Sequence, residues 1–144
     1  MRSALLSIGL LAALGAAAAD PEIKDPKAYA AVTGWLALWD ADRFEEAAEA
    51  RSELMRGRAP KEKVVAAARN HRQQVGRLEQ RKLVQFKPLG GDPRTWQADY
   101  DSVYSKQGAQ CERVSVHHED DGAWRVLTWM LQPKNAEKSC AFSQ

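Results

Sequence analysis

The first half of the chain alternates apolar and polar residues with the period of an α-helix. One series of apolar residues at three- and four-residue spacing predicts the buried stripe of an amphipathic helix, and its members are Val32, Trp35, Leu36 and Trp39. A second helix is predicted to begin with Asp42 as its cap, because Glu45 follows three residues later, and to end at Gly57. A third is predicted from Pro60 to a C-terminal cap at Gly76.

The second half changes to the two-residue period of β-strands. The four predicted strands cover residues 78–87, 95–105, 111–119 and 124–132. Pro88 is expected to stop the first strand, and alternation in the fourth places Trp129 on the face opposite Trp124 and Val126. Three helices followed by four strands with short connections predict an α+β fold, in which the helices pack on one face of a curved four-stranded antiparallel sheet.

The first 19 residues have the features of a secretory signal peptide. Arg2 supplies a positive charge, residues 5–14 an apolar stretch and residues 16–19 the small side chains of a cleavage site. The apolar stretch is shorter than the ~20 residues of a membrane span, so a cleaved signal is favoured over an uncleaved anchor. We therefore expect a periplasmic or secreted bacterial protein without an integral membrane segment after cleavage. The predicted organisation is a signal peptide at 1–19, a linker at 20–27, an α+β domain at 28–133 and a polar tail at 134–144.

Composition and cysteine content narrow the functional classes. The 144 residues carry a formal net charge of only +2, a balance that does not favour nucleic-acid binding through phosphate contacts. Cys111 and Cys140 are the only two cysteines. An oxidising compartment predicts that they form a disulfide, which would tie the polar tail to the sheet. A redox-active pair is the alternative, but such pairs usually lie close together in the sequence.

Four groups of residues, taken in order, share the pattern of a known family. They are residues 35–40 with 43–46, residues 75–78 with 81–83, residues 112–114, and residues 119–126 with their Asp-Gly-Ala-Trp hairpin. Over about residues 28–132 the chain resembles the domain-of-unknown-function family 4019 of exported bacterial proteins. That family is similar to the nuclear-transport-factor-2-like superfamily, so the resemblance implies a cystatin-like cone of sheet and helices. It implies no established activity and no catalytic residue.

Arg113, His117 and Glu119 are the candidate ligand-binding residues. Alternation places them on one side of the third strand together with Ser115, where they form either the polar rim of a pocket or a solvated face. Adjacent His117 and His118 point to opposite faces, so they are not expected to ligate one metal ion together. No metal site and no cofactor are predicted.

Other titratable residues have simpler structural explanations. Asp99 and Asp101 share a strand face, as an acid–base pair would, but alternation places them opposite the aromatic residues, so exposed carboxylates are expected. His71 lies on the apolar side of the third helix, which favours a hydrogen-bonded histidine at the edge of the core. The chain has no Gly-x-Ser-x-Gly motif and no phosphate-binding glycine loop, so no catalytic residue is predicted.

Together these features favour a small exported non-enzymatic domain that binds a partner protein or a small ligand. Apolar contact would come from the aromatic-rich sheet or from a cavity beside it. The alternative is an enzyme that uses a cone cavity for isomerase- or hydratase-like acid/base chemistry, which requires a buried titratable group facing an open pocket. A redox or folding accessory based on the cysteine pair is a third hypothesis.

Overall fold

A computed structural model of the chain describes residues 19–135 and Cys140. The predicted signal peptide, apart from Ala19, and most of the predicted polar tail lie outside these residues. Helices precede strands, and the elements are α1 (Pro26–Asp40), α2 (Phe44–Glu49), α3 (Glu53–Arg58), α4 (Lys61–Val75), β1 (Leu78–Leu89), β2 (Asp92–Tyr104), β3 (Gly108–His118) and β4 (Trp124–Pro133). The predicted α+β class is confirmed, and residues 19–135 contain four helices where three were expected.

The four strands form one antiparallel sheet in the order β1-β2-β3-β4, as predicted. The expected stop at Pro88 is wrong, because β1 continues through it to Leu89. Proline lacks a backbone N–H, and β1 tolerates it because it is an edge strand. Gly90 and Gly91, both with positive φ, then make the turn into β2.

The second predicted helix is divided into α2 and α3. Between them, residues 50–52 run beside the edge of β4, where the Ser52 N–H donates to the Val126 carbonyl (2.7 Å) and the Val126 N–H donates to the Ala50 carbonyl (3.1 Å). Ser52 then caps α3, since its hydroxyl accepts from the Met55 N–H. The helix breaks because a strand distant in sequence satisfies these backbone groups.

The predicted cap of the second helix is also wrong. Asp42 has a positive φ of 59° and precedes the N-cap residue Arg43, which makes no side-chain cap hydrogen bond. The Asp42 carboxylate instead lies 2.9 Å from the Arg72 guanidinium on α4. The end of α4 agrees with prediction: Gly76 caps it with a φ of 85°, and a Cβ there would lie 2.2 Å from the Ser105 hydroxyl oxygen.

The core lies between the helices and one face of the sheet. The α1 stripe predicted from the sequence is buried, and it contacts β2, β3 and β4. Its partners on the sheet are the buried residues Trp96, Ala98, Tyr100, Val114, Val116 and Val126. Within the described part of the chain, each helix is too short or too polar to cross a lipid bilayer.

Candidate functional site

An apolar groove of about 550 Å³ lies between α1, α4 and the edge strand β4. We call it the tryptophan groove, and its lining comprises Trp35, Trp39, Arg51, Met55, Ala59, Val64, Ala67, Ala68, His71 and the β4 residues Val126, Leu127, Thr128, Trp129 and Met130. The volume falls within the range of small-molecule sites, and the lining is apolar except for a few polar groups, as is typical of such sites.

Three indole rings form one wall of the tryptophan groove. Trp35 and Trp39 lie one helical turn apart on α1 and stack with their ring centroids 5.1 Å apart. Trp129 packs against both, at 6.3 Å from Trp35 and 4.5 Å from Trp39. The Trp35 indole N–H donates to the Ala47 carbonyl of α2 (2.9 Å), which fixes that ring in place.

Trp129 reaches this wall because β4 contains a β-bulge. Ser115 of β3 pairs with Thr128 and Val116 with Val126, so Leu127 has no partner on β3. One extra residue reverses the alternation beyond it, and both Val126 and Trp129 therefore pack into the core. The prediction that Trp129 lies on the face opposite Val126 is wrong for this reason.

A buried carboxylate holds Trp129 from behind. The Trp129 indole N–H donates to Glu112 of β3 (2.9 Å), whose side chain is fully buried. Glu112 also accepts from the Ser102 hydroxyl (2.7 Å) and from the Tyr104 hydroxyl (3.0 Å). Its charge is balanced by Arg81 of β1, which donates to it through two nitrogens, at 2.7 and 3.0 Å.

The same network extends to the end of α1 and sets the ionisation of its members. Arg81 donates through two nitrogens to Asp40, the last residue of α1, at 2.6 and 3.1 Å. Burial alone would raise the pKa of Glu112, but the hydrogen bonds and positive charge of Arg81 outweigh it and lower that pKa overall. Glu112 is therefore ionised and already accepts hydrogen bonds from the donors around it. This arrangement favours a structural role in supporting the groove wall over a role in proton transfer.

His71 of α4 packs edge to face against Trp129, with the ring centroids 5.0 Å apart. Its Nε2 atom is buried and has no hydrogen-bond partner among the described residues, so the expectation of a hydrogen-bonded histidine is wrong for this atom. Burial, helped by the positive charge of Arg72, lowers the pKa of His71. The ring is consequently mainly neutral at pH 7.

Arg51 brings a buried positive charge to the lining of the tryptophan groove. It lies between α2 and α3 and is 9% exposed. Its guanidinium donates to three backbone carbonyl oxygens, those of Ala48 (2.8 Å), Met55 (3.3 Å) and Ala59 (3.1 Å). Within residues 19–135, no carboxylate forms an ion pair with it. Burial lowers the pKa of Arg51, and the nearby charge of Arg56 adds to this effect.

The candidate residues Arg113, His117 and Glu119 lie outside the tryptophan groove. Arg113 binds Asp99 through two hydrogen bonds, of 2.6 and 2.9 Å. His117 and Glu119 come together in a different depression of about 820 Å³, the charged groove, which also contains Arg125. There His117 Nδ1 lies 2.8 Å from the Thr95 hydroxyl oxygen, and Glu119 accepts from the Glu53 N–H (2.6 Å) and pairs with Arg125. Their role in ligand binding stays a prediction.

The two strand aspartates differ from the exposed pair that was expected. Asp99 is fully buried, because its register neighbours Gln85 and Arg113 both hydrogen-bond to it. Asp101 is partly exposed and pairs with Lys134 at 2.9 Å. Cross-strand partners of complementary charge let a strand bury a carboxylate that alternation alone assigns to solvent. Neither residue lines the tryptophan groove.

The predicted disulfide between Cys111 and Cys140 is confirmed, with a Cα–Cα distance of 5.0 Å. It joins β3 to the chain beyond β4. Asp101 lies close to both sulfur atoms, and these three residues have the spacing of a metal-binding group. Because the two sulfur atoms are bonded to each other, they are not thiolate ligands in this state.

Arg51, Arg81 and Glu112 are site residues that sequence reasoning missed. Glu112 could have been found, because it lies two residues before Val114 and therefore shares its inward face. A carboxylate at such a position requires a buried cation, and Arg81 was available on the first strand. Arg51 follows the helical spacing of the buried residues of α2, which is a weaker signal of burial, but its carbonyl partners depend on the break between α2 and α3.

Comparison with known proteins places the chain in a family. Residues 31–129 match the family described as "Protein of unknown function (DUF4019)". Aln2 from a Streptomyces species is 18% identical with a TM-score of 0.50, over 78% of this chain and 94% of that one. A protein from Catenulispora acidiphila is 18% identical with a TM-score of 0.43, over 72% and 89% of the two chains. No curated protein matches the sequence, and the likeness to Aln2 concerns the fold alone. The chain belongs to the DUF4019 family.

Proposed function

We propose that this protein is a small, exported, non-enzymatic domain that binds a small, largely apolar molecule in the tryptophan groove. The observation that carries the proposal is a groove of about 550 Å³ whose wall is built from three indole rings. Indole rings offer large apolar contact at low entropic cost. The Glu112 hydrogen bond holds one of these rings, Trp129, so that this part of the wall is formed before a ligand arrives.

The proposal includes a cone fold of the nuclear-transport-factor-2-like kind. A four-stranded antiparallel sheet with its helices packed against one face supports this interpretation. A groove between such a sheet and a helix is where a cone would open to solvent. The bulge at Leu127 adds local twist to β4 at that place.

We further propose that the protein is exported to the bacterial periplasm after cleavage of a signal peptide at residues 1–19. The disulfide between Cys111 and Cys140 supports this location, because such bonds persist in oxidising compartments. Determining the N-terminal residue of the periplasmic protein tests the proposal. Asp20 is the expected first residue, and an N-terminus that retains residues 1–19 would contradict it.

A neutral fluorescent probe, N-phenyl-1-naphthylamine, tests whether the groove binds apolar molecules. Ala67 lines the groove and is exposed, so Ala67→Trp fills it without disturbing the core. Ala66 is the matched control, since it is also exposed on α4 but lies outside the groove. We expect the wild type and Ala66→Trp to bind the probe equally, and Ala67→Trp to bind it at least about tenfold more weakly. Absence of binding, or equal binding by both variants, would refute the proposal.

The enzymatic alternative has one observation in its favour. His71, mainly neutral and with no described partner for its Nε2 atom, is a titratable group in an apolar groove, as acid/base chemistry requires. Binding is favoured over catalysis because Arg51, the other titratable residue among the described residues of the lining, stays protonated and cannot act as a second acid or base.

A further inference from the structure

We infer that the molecule bound in the tryptophan groove carries a carboxylate group, which pairs with the guanidinium of Arg51. This inference rests on the proposed function and adds a chemical class to it: an apolar body with one anionic head group. It depends on the partners of Arg51, the donors that remain on its guanidinium and the absence of other charge in the groove.

Arg51 differs from the other well-buried arginines of the described chain. The side chains of Arg72, Arg81 and Arg113 are 11–12% exposed, and each forms an ion pair with at least one carboxylate. Arg51 is at least as buried, at 9% exposure for the whole residue, and has only carbonyl partners within residues 19–135. A buried charge without a counter-ion is costly. An anionic ligand would supply the missing counter-ion.

The bonds that Arg51 already makes prepare it for such a ligand. Three of its five N–H groups donate to carbonyl oxygens of Ala48, Met55 and Ala59, which fixes the plane of the guanidinium. One N–H on each terminal nitrogen is left over. A guanidinium with one N–H left on each terminal nitrogen has donors for both oxygens of a carboxylate.

The rest of the groove explains why the ligand's body should be apolar. Among the described residues of the lining, the polar side chains besides Arg51 are those of His71 and Thr128, and His71 is mainly neutral at pH 7. The groove therefore offers one positive charge beside an indole wall. A carboxylic acid with a linear or ring-shaped hydrocarbon body fits this distribution of charge.

Decanoate and 1-decanol test the inference, because they share a chain length and differ in the charge of the head group. Each is titrated against the purified protein bearing N-phenyl-1-naphthylamine, and displacement of the probe is measured. We expect decanoate to bind the wild type at least about tenfold more tightly than decanol. In Arg51→Gln this order should reverse, because an ionised head group without a cation prefers water. Arg56→Gln, which removes a neighbouring exposed charge outside the groove, should retain the preference for decanoate.

The outcomes separate this inference from the proposed function. If decanol binds the wild type as tightly as decanoate, or more tightly, the role of Arg51 is refuted while apolar binding in the groove stands. If the probe does not bind the wild type at all, the proposed function itself fails. Arg51 also joins the ends of α2 and α3, so the Arg51→Gln variant must first show a cooperative thermal transition. Should it not fold, the ratio of decanoate to decanol affinity in the wild type decides the question.

Discussion

Replacement of Glu112 by glutamine should destabilise the protein far more than its near-identical size suggests. Glu112 accepts five hydrogen bonds, two of them from Arg81. In glutamine, an NH₂ group replaces one of the two carboxylate oxygens and would face the groups that donate to that oxygen. The Ser102 hydroxyl can rotate and accept a hydrogen bond from the NH₂ group, but an N–H of Arg81 can only donate, so that hydrogen bond is lost. Arg81 also loses the fully buried one of its two counter-ions, since Asp40 is partly exposed. Removing one member of a buried ion pair costs about 3–5 kcal/mol, which corresponds to a fall in Tm of roughly 10–20 °C.

Urea unfolding of four proteins measures this effect: the wild type, Glu112→Gln, Arg81→Met and the double variant. The two residues contact each other, so the double variant should lose about 1–3 kcal/mol less than the sum of the single losses. A loss below about 1 kcal/mol in Glu112→Gln, or additive losses in the double variant, would refute the proposed anchoring.

The pH dependence gives an independent check on Glu112. Folding lowers its pKa, so its charge stabilises the fold above the unfolded-state value of 4.5 and this stabilisation is lost as the pH falls through the folded-state pKa. The free-energy difference between the wild type and Glu112→Gln should therefore narrow as the pH falls below about 4.5. A difference that stays constant down to acid unfolding would contradict the assignment of a charged carboxylate.

Three further predictions concern other parts of the molecule. Folding lowers the pKa of His71, so the unfolding free energy of the wild type should fall as the pH drops below 6.5, the ordinary histidine pKa. Chemical denaturation should show a smaller fall for His71→Phe, and equal falls in the two proteins would contradict the burial of that ring. Cys140→Ser should lower the unfolding free energy by about 3–4 kcal/mol under oxidising conditions, and an unchanged value would show that the disulfide does not constrain the chain. If the charged groove holds a ligand site, His117→Ala should weaken binding of that ligand with little change in Tm, and a large fall in Tm would instead indicate a structural role.

The elements that sequence reasoning predicted well are those whose pattern is continuous and local. The α1 stripe keeps helical spacing without interruption, so its buried face could be read directly. Alternation in β2 correctly placed Trp96 and Tyr100 towards the core, but it did not predict that Asp99 on the opposite face is buried as well. The antiparallel arrangement of the strands followed from their short connections. The cysteine pair followed from there being only one possible pairing.

The parts that sequence reasoning missed depend on partners distant in the chain. The break between α2 and α3 exists because Val126 pairs with residues 50–52, and the bulge at Leu127 depends on how β4 aligns with β3. Both events build the tryptophan groove, since the first buries Arg51 and the second turns Trp129 inward. Local sequence patterns therefore could not predict the tryptophan groove. The candidate residues chosen from the alternation of β3 lie outside it.

Nuclear magnetic resonance of the indole N–H groups tests most directly whether the tryptophan groove is a ligand site. The protein has five tryptophans, and three of them, Trp35, Trp39 and Trp129, line the groove whereas Trp96 and Trp124 do not. On titration with decanoate, we expect the three groove resonances to shift together to saturation while the other two stay in place. Shifts confined to Trp96 or Trp124, or no saturable shift at any of the five, would contradict a binding site between α4 and β4.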